Sequence, residues 1–260
     1  AHTNIALVKY WGKRDDGGRG LNLPAVGSLS LTLDRFGTET TVELAPGHAS
    51  DALTLDGTSR SGAELGRVTS FLDLVRQAAG KSDRVHVSSR NDVPTAAGLA
   101  SSASGFCALA FAASRAFGLT LDERALSILA RRGSGSAARS VFGGFVQLHL
   151  GTREDGEDCF AEQVPAALEA RLVVVRCATG PKEVSSTFGM GHAQRTSPYF
   201  PAWVATHPAD LVDAHAALAH GDLAKLGEVM EHSTLKMPAT TFAARPPFFY
   251  WTPPTLAALA

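Results

Sequence analysis

The run Pro94-Thr-Ala-Ala-Gly-Leu-Ala-Ser-Ser-Ala-Ser-Gly105 opens straight onto apolar residues at helical spacing: Phe106, Ala108, Leu109, Phe111 and Ala112. The first N–H groups of a helix have no partner inside it and sit at the positive end of its dipole. Gly and Ala leave room for a bulky anion to reach that backbone, and Ser101, Ser102 and Ser104 add hydroxyls. The combination is a phosphate cradle. The same residue types also occur where a helix packs closely on a sheet, and taken alone the run supports both readings. No Lys follows the glycines in a GK[ST] arrangement, which argues against a P-loop ATPase. No GxGxxG follows a strand, so a Rossmann dinucleotide fold has no local support.

Composition narrows the partners. The 260 residues suffice for one large domain or two small ones. A formal net charge of −1 gives no reason to expect binding to nucleic acid or an anionic membrane, so any cationic site is local. Cys107, Cys159 and Cys177 lack CxxC spacing, which fits a reducing, cytoplasmic compartment and argues against a disulfide framework or a zinc site. The histidines show no HExxH pattern, and no metal ligand is assigned. No segment reaches the ~18 to 20 apolar residues of a membrane span. Lys9, Lys13 and Arg14 interrupt any signal-peptide-like run, and a start at Ala rather than Met points to processing or trimming.

Pattern along the chain predicts an α+β fold. Strands are expected at 5–11, 28–34, 38–45, 53–55, 84–88, 145–150 and 172–177, those at 28–34 and 38–45 on strict apolar/polar alternation. Leu65, Val68, Phe71, Leu72 and Val75 predict a helix over 64–79. A second helix follows the cradle and ends near Gly118, a third covers 122–132 with Asp122 at its start, and the chain is helical from 209 onward. The acidic run at 151–158 reads as a surface turn.

Other segments carry candidate chemistry. Lys9 and Lys13 flank Tyr10 and Trp11 at a strand end, which could grip a phosphorylated molecule or simply be a solvated strand end with an aromatic anchor. Ser134-Gly-Ser-Ala-Ala-Arg139 lets Arg139 reach inward to a carboxylate, or else caps a helix with Arg139 on the surface. Lys182-Glu-Val-Ser-Ser-Thr187 reads equally as the rest of a phosphate site or as a capped turn. Arg245-Pro-Pro is a helix stop.

Taken together, the motifs resemble a known family. Asn4-Ile-Ala-Leu-Val-Lys-Tyr-Trp-Gly-Lys-Arg-Asp15 looks like the N-terminal signature of the diphosphomevalonate decarboxylases, members of the GHMP kinase superfamily. Residues 94–105, Gly133–Ser140 with Phe142-Gly-Gly, Val184-Ser-Ser-Thr with Gly189-Met190, Thr196-Ser-Pro and Ala243-Ala-Arg-Pro-Pro extend the likeness in order from residue 4 to about 256. The resemblance implies a GHMP kinase fold, with two-layer mixed sheets and helices around a single deep cleft. It divides the chain into an N-terminal (ribosomal S5 domain 2-like) domain at 1–165 and a C-terminal domain at 166–260.

The activity implied is ATP- and Mg2+-dependent decarboxylation of mevalonate 5-diphosphate to isopentenyl diphosphate, CO2, ADP and phosphate, in a homodimer. Carried over, Tyr10, Trp11, Gly12 and Lys13 would hold the substrate's diphosphate, joined by Arg67. Ser134, Gly135 and Ser136 would line the pocket, and Arg139 would orient the C1 carboxylate. Ser185 and Ser186 match positions around the diphosphate. Ala97, Gly98, Leu99, Ala100, Ser101, Ser102 and Ser104 would cradle ATP, with Lys182 on a mobile loop near its phosphates. Arg139 and Lys13 are the implied catalytic residues.

Departures from the family pattern also matter. The family's Asp-Ala-Gly-Pro-Asn motif, whose Asp serves the C3 hydroxyl, has no match in residues 1–260, which implies a C-terminally incomplete piece. Pro238 stands where the family usually has His and is expected to kink or break its helix, at ~3 kcal/mol. Residues 191–195 also differ. A plain GHMP kinase is disfavoured because Gly135-Ser-Ala-Ala-Arg139 lacks the Asp of the kinase signature. A phosphomevalonate decarboxylase, a C3 kinase and a non-catalytic ligand-binding remnant are the remaining alternatives.

Overall fold

The computed structural model describes residues 1–92, 101–177 and 183–259. Strands β1 (His2–Val8), β2 (Ser28–Ala45), β3 (Ala52–Leu55), β4 (Thr58–Arg60), β5 (Arg84–Asn91), β6 (Gly144–Leu148) and β7 (Ala161–Gln163) form a mixed sheet in the order β4-β3-β5-β2-β6-β7, with β1 also on β2. The helices are α1 (Gly62–Ala79), α2 (Ser101–Ala116), α3 (Glu123–Gly133), α4 (Ser186–Thr196), α5 (Phe200–His220), α6 (Leu223–Phe242) and α7 (Pro253–Leu259). A 3-10 helix, Gly135–Val141, follows α3.

The alternating runs at 28–34 and 38–45 are one long strand. Its first half pairs with β1 and β6 and its second half with β5. The two halves meet at Phe36, whose φ of 64° is rare for a bulky residue, and at Gly37. One side of the first half, Leu29 and Leu31, meets Leu218, Leu226 and Val229 of α5 and α6. Alternation is the signature of a half-buried strand, yet Ser28, Ser30 and Thr32 are buried as well. The 3-10 helix covers this polar side, and Thr32 Oγ1 donates to the Arg139 carbonyl at 3.4 Å. Elsewhere, α1, α2 and α3 bury Phe71, Leu72, Val75, Leu109, Phe117 and Leu126 against Leu53, Val85 and Val87 of β3 and β5.

Local signals fared well at helix ends. The Asp122 side chain caps α3 by accepting from Ala125 N at 2.7 Å. Beyond α2, Gly118 takes φ 80° and Leu119 N returns to Ser114 O at 2.8 Å.

Two expectations are corrected. Residues 171–177 form no strand: among the described residues no neighbour pairs with them, and Val173 and Val175 are 88% and 68% exposed. β-branched residues favour a strand only when a ladder and a packing face exist. Pro238 does not break α6, which runs from Leu223 to Phe242. Pro238 is itself buried, and α6 packs along α5, so tertiary contacts outweigh the lost backbone bond.

His207 of α5 is fully buried and donates from Nε2 to the Gly27 carbonyl at 2.8 Å, which leaves Nδ1 buried without a partner. Burial pushes its pKa down to about 4 from 6.5, against the Gly27 bond and Asp210 (raising); Lys236 lowers it further. The unfolded chain therefore takes up the proton first as pH falls, and stability is lost between pH 6.5 and 4, in total on the order of 3 kcal/mol. Urea midpoints across that range should show the slope, and His207→Gln should flatten it.

Candidate active site

β1 delivers its polar end and the following turn to the middle of the molecule. Asn4, on β1 opposite Thr32, is buried; its Nδ2 donates to Ser136 O at 2.9 Å and to Ser140 Oγ at 2.8 Å. Its Oδ1 accepts from Arg139 Nε at 3.2 Å and Nη2 at 3.1 Å. Arg139 Nη1 donates to Ser28 Oγ, and the guanidinium lies 5.7 Å from the centre of the Tyr10 ring. Arg139 is 2% exposed, and among the described residues no carboxylate pairs with it. Burial pulls its pKa down to about 10, and Tyr10 opposes that pull.

Tyr10 sits beside this cation with its Oη buried and without a hydrogen-bond partner. Burial raises its pKa to about 12, so the hydroxyl stays protonated as a donor. Gly135 permits the arrangement: a Cβ there would fall on the Tyr10 ring and hydroxyl. Lys9 Nζ donates to Ala6 O at 3.0 Å; burial lowers its pKa, and Arg139 lowers it further. A buried guanidinium without a counter-ion and a buried phenol without an acceptor together fit an incoming anion.

Trp11 clamps this turn to the C-terminal helices. Its Nε1 donates to Thr240 Oγ1 of α6 at 3.0 Å, and its carbonyl accepts from Trp203 Nε1 of α5 at 3.1 Å. Gly12, at φ 91°, leaves room for the Phe200 ring. Lys13 N donates to Gln194 Oε1 of α4 at 3.2 Å, and its Nζ donates to Asn22 Oδ1 at 2.6 Å. Its pKa is lowered chiefly by burial; Asp16 opposes this and Arg67 adds to it. Arg67 itself is exposed on α1 and stacks over Phe106 of α2 at 5.1 Å.

The hydroxyls converge from α2 and the 3-10 helix. Ser134 Oγ lies 3.5 Å from Ser102 Oγ and 3.3 Å from Ser136 Oγ, and Ser102 is exposed in the first turn of α2. The first turn of α2 thus brings Ser102 beside Ser134 and Ser136, hydroxyls of the kind that meet an anion.

Residues 1–161 match the family model for the diphosphomevalonate decarboxylase-like N-terminal domain, and 172–254 match the mevalonate 5-diphosphate decarboxylase C-terminal domain. The chain belongs to the diphosphomevalonate decarboxylase family. A zebrafish (Danio rerio) diphosphomevalonate decarboxylase is 36% identical over 96% of this chain, and the match spans 65% of the relative's length. The Staphylococcus aureus mevalonate diphosphate decarboxylase structure is 39% identical with a TM-score of 0.90, covering 100% of this chain and 78% of that one. A solved complex with MVAPP, AMPPCP and magnesium is 44% identical with a TM-score of 0.90, covering 99% and 78%.

Of the residues the family likeness singles out, Tyr10 packs against Gly135 and Arg139, and Ser134 lies beside Ser136, while Trp11 and Gly12 face α5 and α6 and Lys13 reaches Asn22. Ser185 caps α4 by accepting from Phe188 N at 3.2 Å, and its carbonyl accepts from Tyr250 Oη at 3.4 Å; Ser186 is exposed in the first turn. Tyr250 meets Trp11 edge-on at 6.1 Å, which joins this end of α4 to the same aromatic cluster. Ser104 has no exposed surface, and its hydroxyl shares a 2.7 Å bond with Thr38 of β2. Two residues past Ser102, it lies some 200° around the helix and faces the sheet. Ala97, Gly98, Leu99, Ala100 and Lys182 lie outside the described residues, as does the side chain of Ser101. Asn4 was read only as part of a motif, yet it orients Arg139; an Asn inside the apolar run Ile5–Val8 was the available signal. Trp203 and Thr240 gave none.

Proposed function

We propose that this protein carries out ATP-dependent decarboxylation of mevalonate 5-diphosphate. The observation that carries the reading is Arg139, a buried guanidinium with no carboxylate of its own beside the unpartnered Tyr10 hydroxyl. A substrate carboxylate supplies the missing charge partner, and Nη1 and Nη2 are held in one plane by Ser28 and Asn4. Lys13, and Arg67 near enough to lower its pKa, suit the diphosphate, while the first turn of α2, with Ser102 exposed, suits ATP. The solved relative in complex with MVAPP, AMPPCP and magnesium supports the same pairing of ligands.

In this reading the C3 hydroxyl attacks the γ-phosphoryl group of ATP, the bond to the ADP oxygen breaks, and ADP and a C3 phosphate form; the hydroxyl proton is released and ends on the phosphate that leaves. The C3–O bond then breaks and phosphate leaves with its electron pair. The C1–C2 bond breaks as CO2 departs, and its electrons form the C2=C3 double bond of isopentenyl diphosphate. Arg139 holds the carboxylate until that bond breaks, and Lys13 and Tyr10 keep the far end of the molecule fixed.

Among the described residues no group of three or more His, Cys, Asp or Glu side chains could hold a metal ion. Mg2+ would sit with the nucleotide phosphates, where Ser102 and Ser134 offer oxygens and the ion would offset phosphate charge. A homodimer and a cytoplasmic setting, both implied by the family likeness, complete the proposal; no described helix is long and apolar enough to cross a membrane.

The test is stoichiometry. With mevalonate 5-diphosphate and ATP, the protein should release one CO2 per ADP formed, and mevalonate 5-phosphate should react far more slowly. ADP without CO2 would replace this reading with a C3 kinase, and preference for the monophosphate would move the substrate.

A further inference from the structure

Asn22 has no part in the motifs above and yet stands between two of them. Its Oδ1 accepts from Lys13 Nζ at 2.6 Å, and its Nδ2 donates to the Arg132 carbonyl, at the end of α3, at 2.7 Å. The orientation of the amide follows from chemistry: an ammonium can only donate and a carbonyl can only accept. The residue holds this place at φ 52°, in the left-handed region that Asn tolerates better than most side chains.

The backbone around Asn22 is held by more than its own side chain. Arg131 Nε donates to the Leu21 carbonyl at 3.0 Å, and Leu21 N donates to Asp16 Oδ2 at 2.6 Å. Arg131, fully buried, also grips the Gly156 carbonyl at 2.8 Å. The loop is thus tied to α3 by other groups as well as by the Asn22 Nδ2, and the amide oxygen serves Lys13.

We propose that Asn22 is the positioning residue for Lys13, fixing the ammonium against the Gly133–Ser136 side of the pocket so that its remaining N–H groups face the substrate's diphosphate. This rests on the diphosphate reading of Lys13. A free lysine gives up much rotamer freedom when it binds a phosphate. One N–H spent on a fixed amide oxygen settles that cost before the substrate arrives, and an uncharged acceptor does so without neutralising the cation. Arg67, close enough to lower the Lys13 pKa, brings a second positive charge to the same anion.

A binding cycle tests this. Asn22→Gly keeps the left-handed backbone accessible and deletes only the amide. Affinities for mevalonate 5-diphosphate and for AMPPCP are measured by ligand-observed NMR, which reaches millimolar dissociation constants, on the wild type, Asn22→Gly, Lys13→Met and the double variant. Asn22→Gly should weaken mevalonate 5-diphosphate about tenfold and AMPPCP less than about twofold. In the Lys13→Met background the same substitution should change the affinity less than about twofold. No loss in Asn22→Gly, or an undiminished tenfold loss without Lys13, overturns the role of Asn22 while leaving the diphosphate site standing. If Lys13→Met binds mevalonate 5-diphosphate as the wild type does, the diphosphate reading itself falls, and the role of Asn22 falls with it.

Discussion

Arg139→Met should lower the rate of CO2 release by roughly a thousandfold while changing stability by no more than about 2 kcal/mol. The two halves of that result have different causes. A buried cation without a counter-ion is costly to the free protein, and an apolar side chain of similar length relieves that cost. Against the gain, Asn4 Oδ1 and Ser28 Oγ lose their donor, at about 1–3 kcal/mol for a buried polar group left unmet. The opposing terms are of similar size, so the fold survives. For catalysis, on the proposed reading, nothing replaces the planar fork that the substrate carboxylate would meet.

Urea unfolding and the CO2 assay on one preparation separate these effects. AMPPCP affinity should be retained, since the start of α2 is untouched. Arg139→Lys should not rescue, because a single ammonium cannot reproduce the planar fork that engages Asn4 from two nitrogens and Ser28 from a third. Near-normal kcat and KM in either variant would remove Arg139 from the reaction.

The sequence made some parts of this molecule plain and hid others, and range along the chain decides which. Alternation at 28–45 announced strand because each residue's environment repeats every two positions. Caps such as Asp122 and Gly118 were legible because their partners lie within a few residues. The polar face of β2 was misjudged because alternation reports two faces, not what covers the second. Its cover, the 3-10 helix, lies more than a hundred residues away.

The Arg139 site has the same character: Asn4, Ser28 and Arg139 become neighbours across separations of 135 and 111 residues. Only the likeness to a family could place them together beforehand. Residues 172–177 show the converse limit. Their valines carry strand propensity, but a strand is a property of a pair, and no described segment supplies the partner. Ser104 shows that a motif names residue types while helix geometry assigns their direction.

Gly135→Ala should be strongly damaging for a single added methyl group. Gly135 is buried, and a Cβ built on it lands on the Tyr10 hydroxyl and 2.6 Å from the ring carbon that bears it. Tyr10 has little freedom to yield: it lies two residues past β1, and Trp11 beside it is held by both Thr240 and Trp203. Displacing the ring also disturbs its contact with Arg139. Overpacking of this kind costs about 1–3 kcal/mol of stability. The functional loss should be larger, because the phenol and the guanidinium shift together: about a hundredfold in kcat/KM for mevalonate 5-diphosphate, with the KM for ATP nearly unchanged. Adding Tyr10→Ala removes the obstacle. The double variant should therefore recover the stability lost by Gly135→Ala, read as its thermal midpoint, without recovering activity. Recovery of neither would mean that Gly135 serves the backbone of the 3-10 helix rather than the close approach of Tyr10, and full activity in Gly135→Ala would show that Tyr10 can move aside at no cost to the reaction.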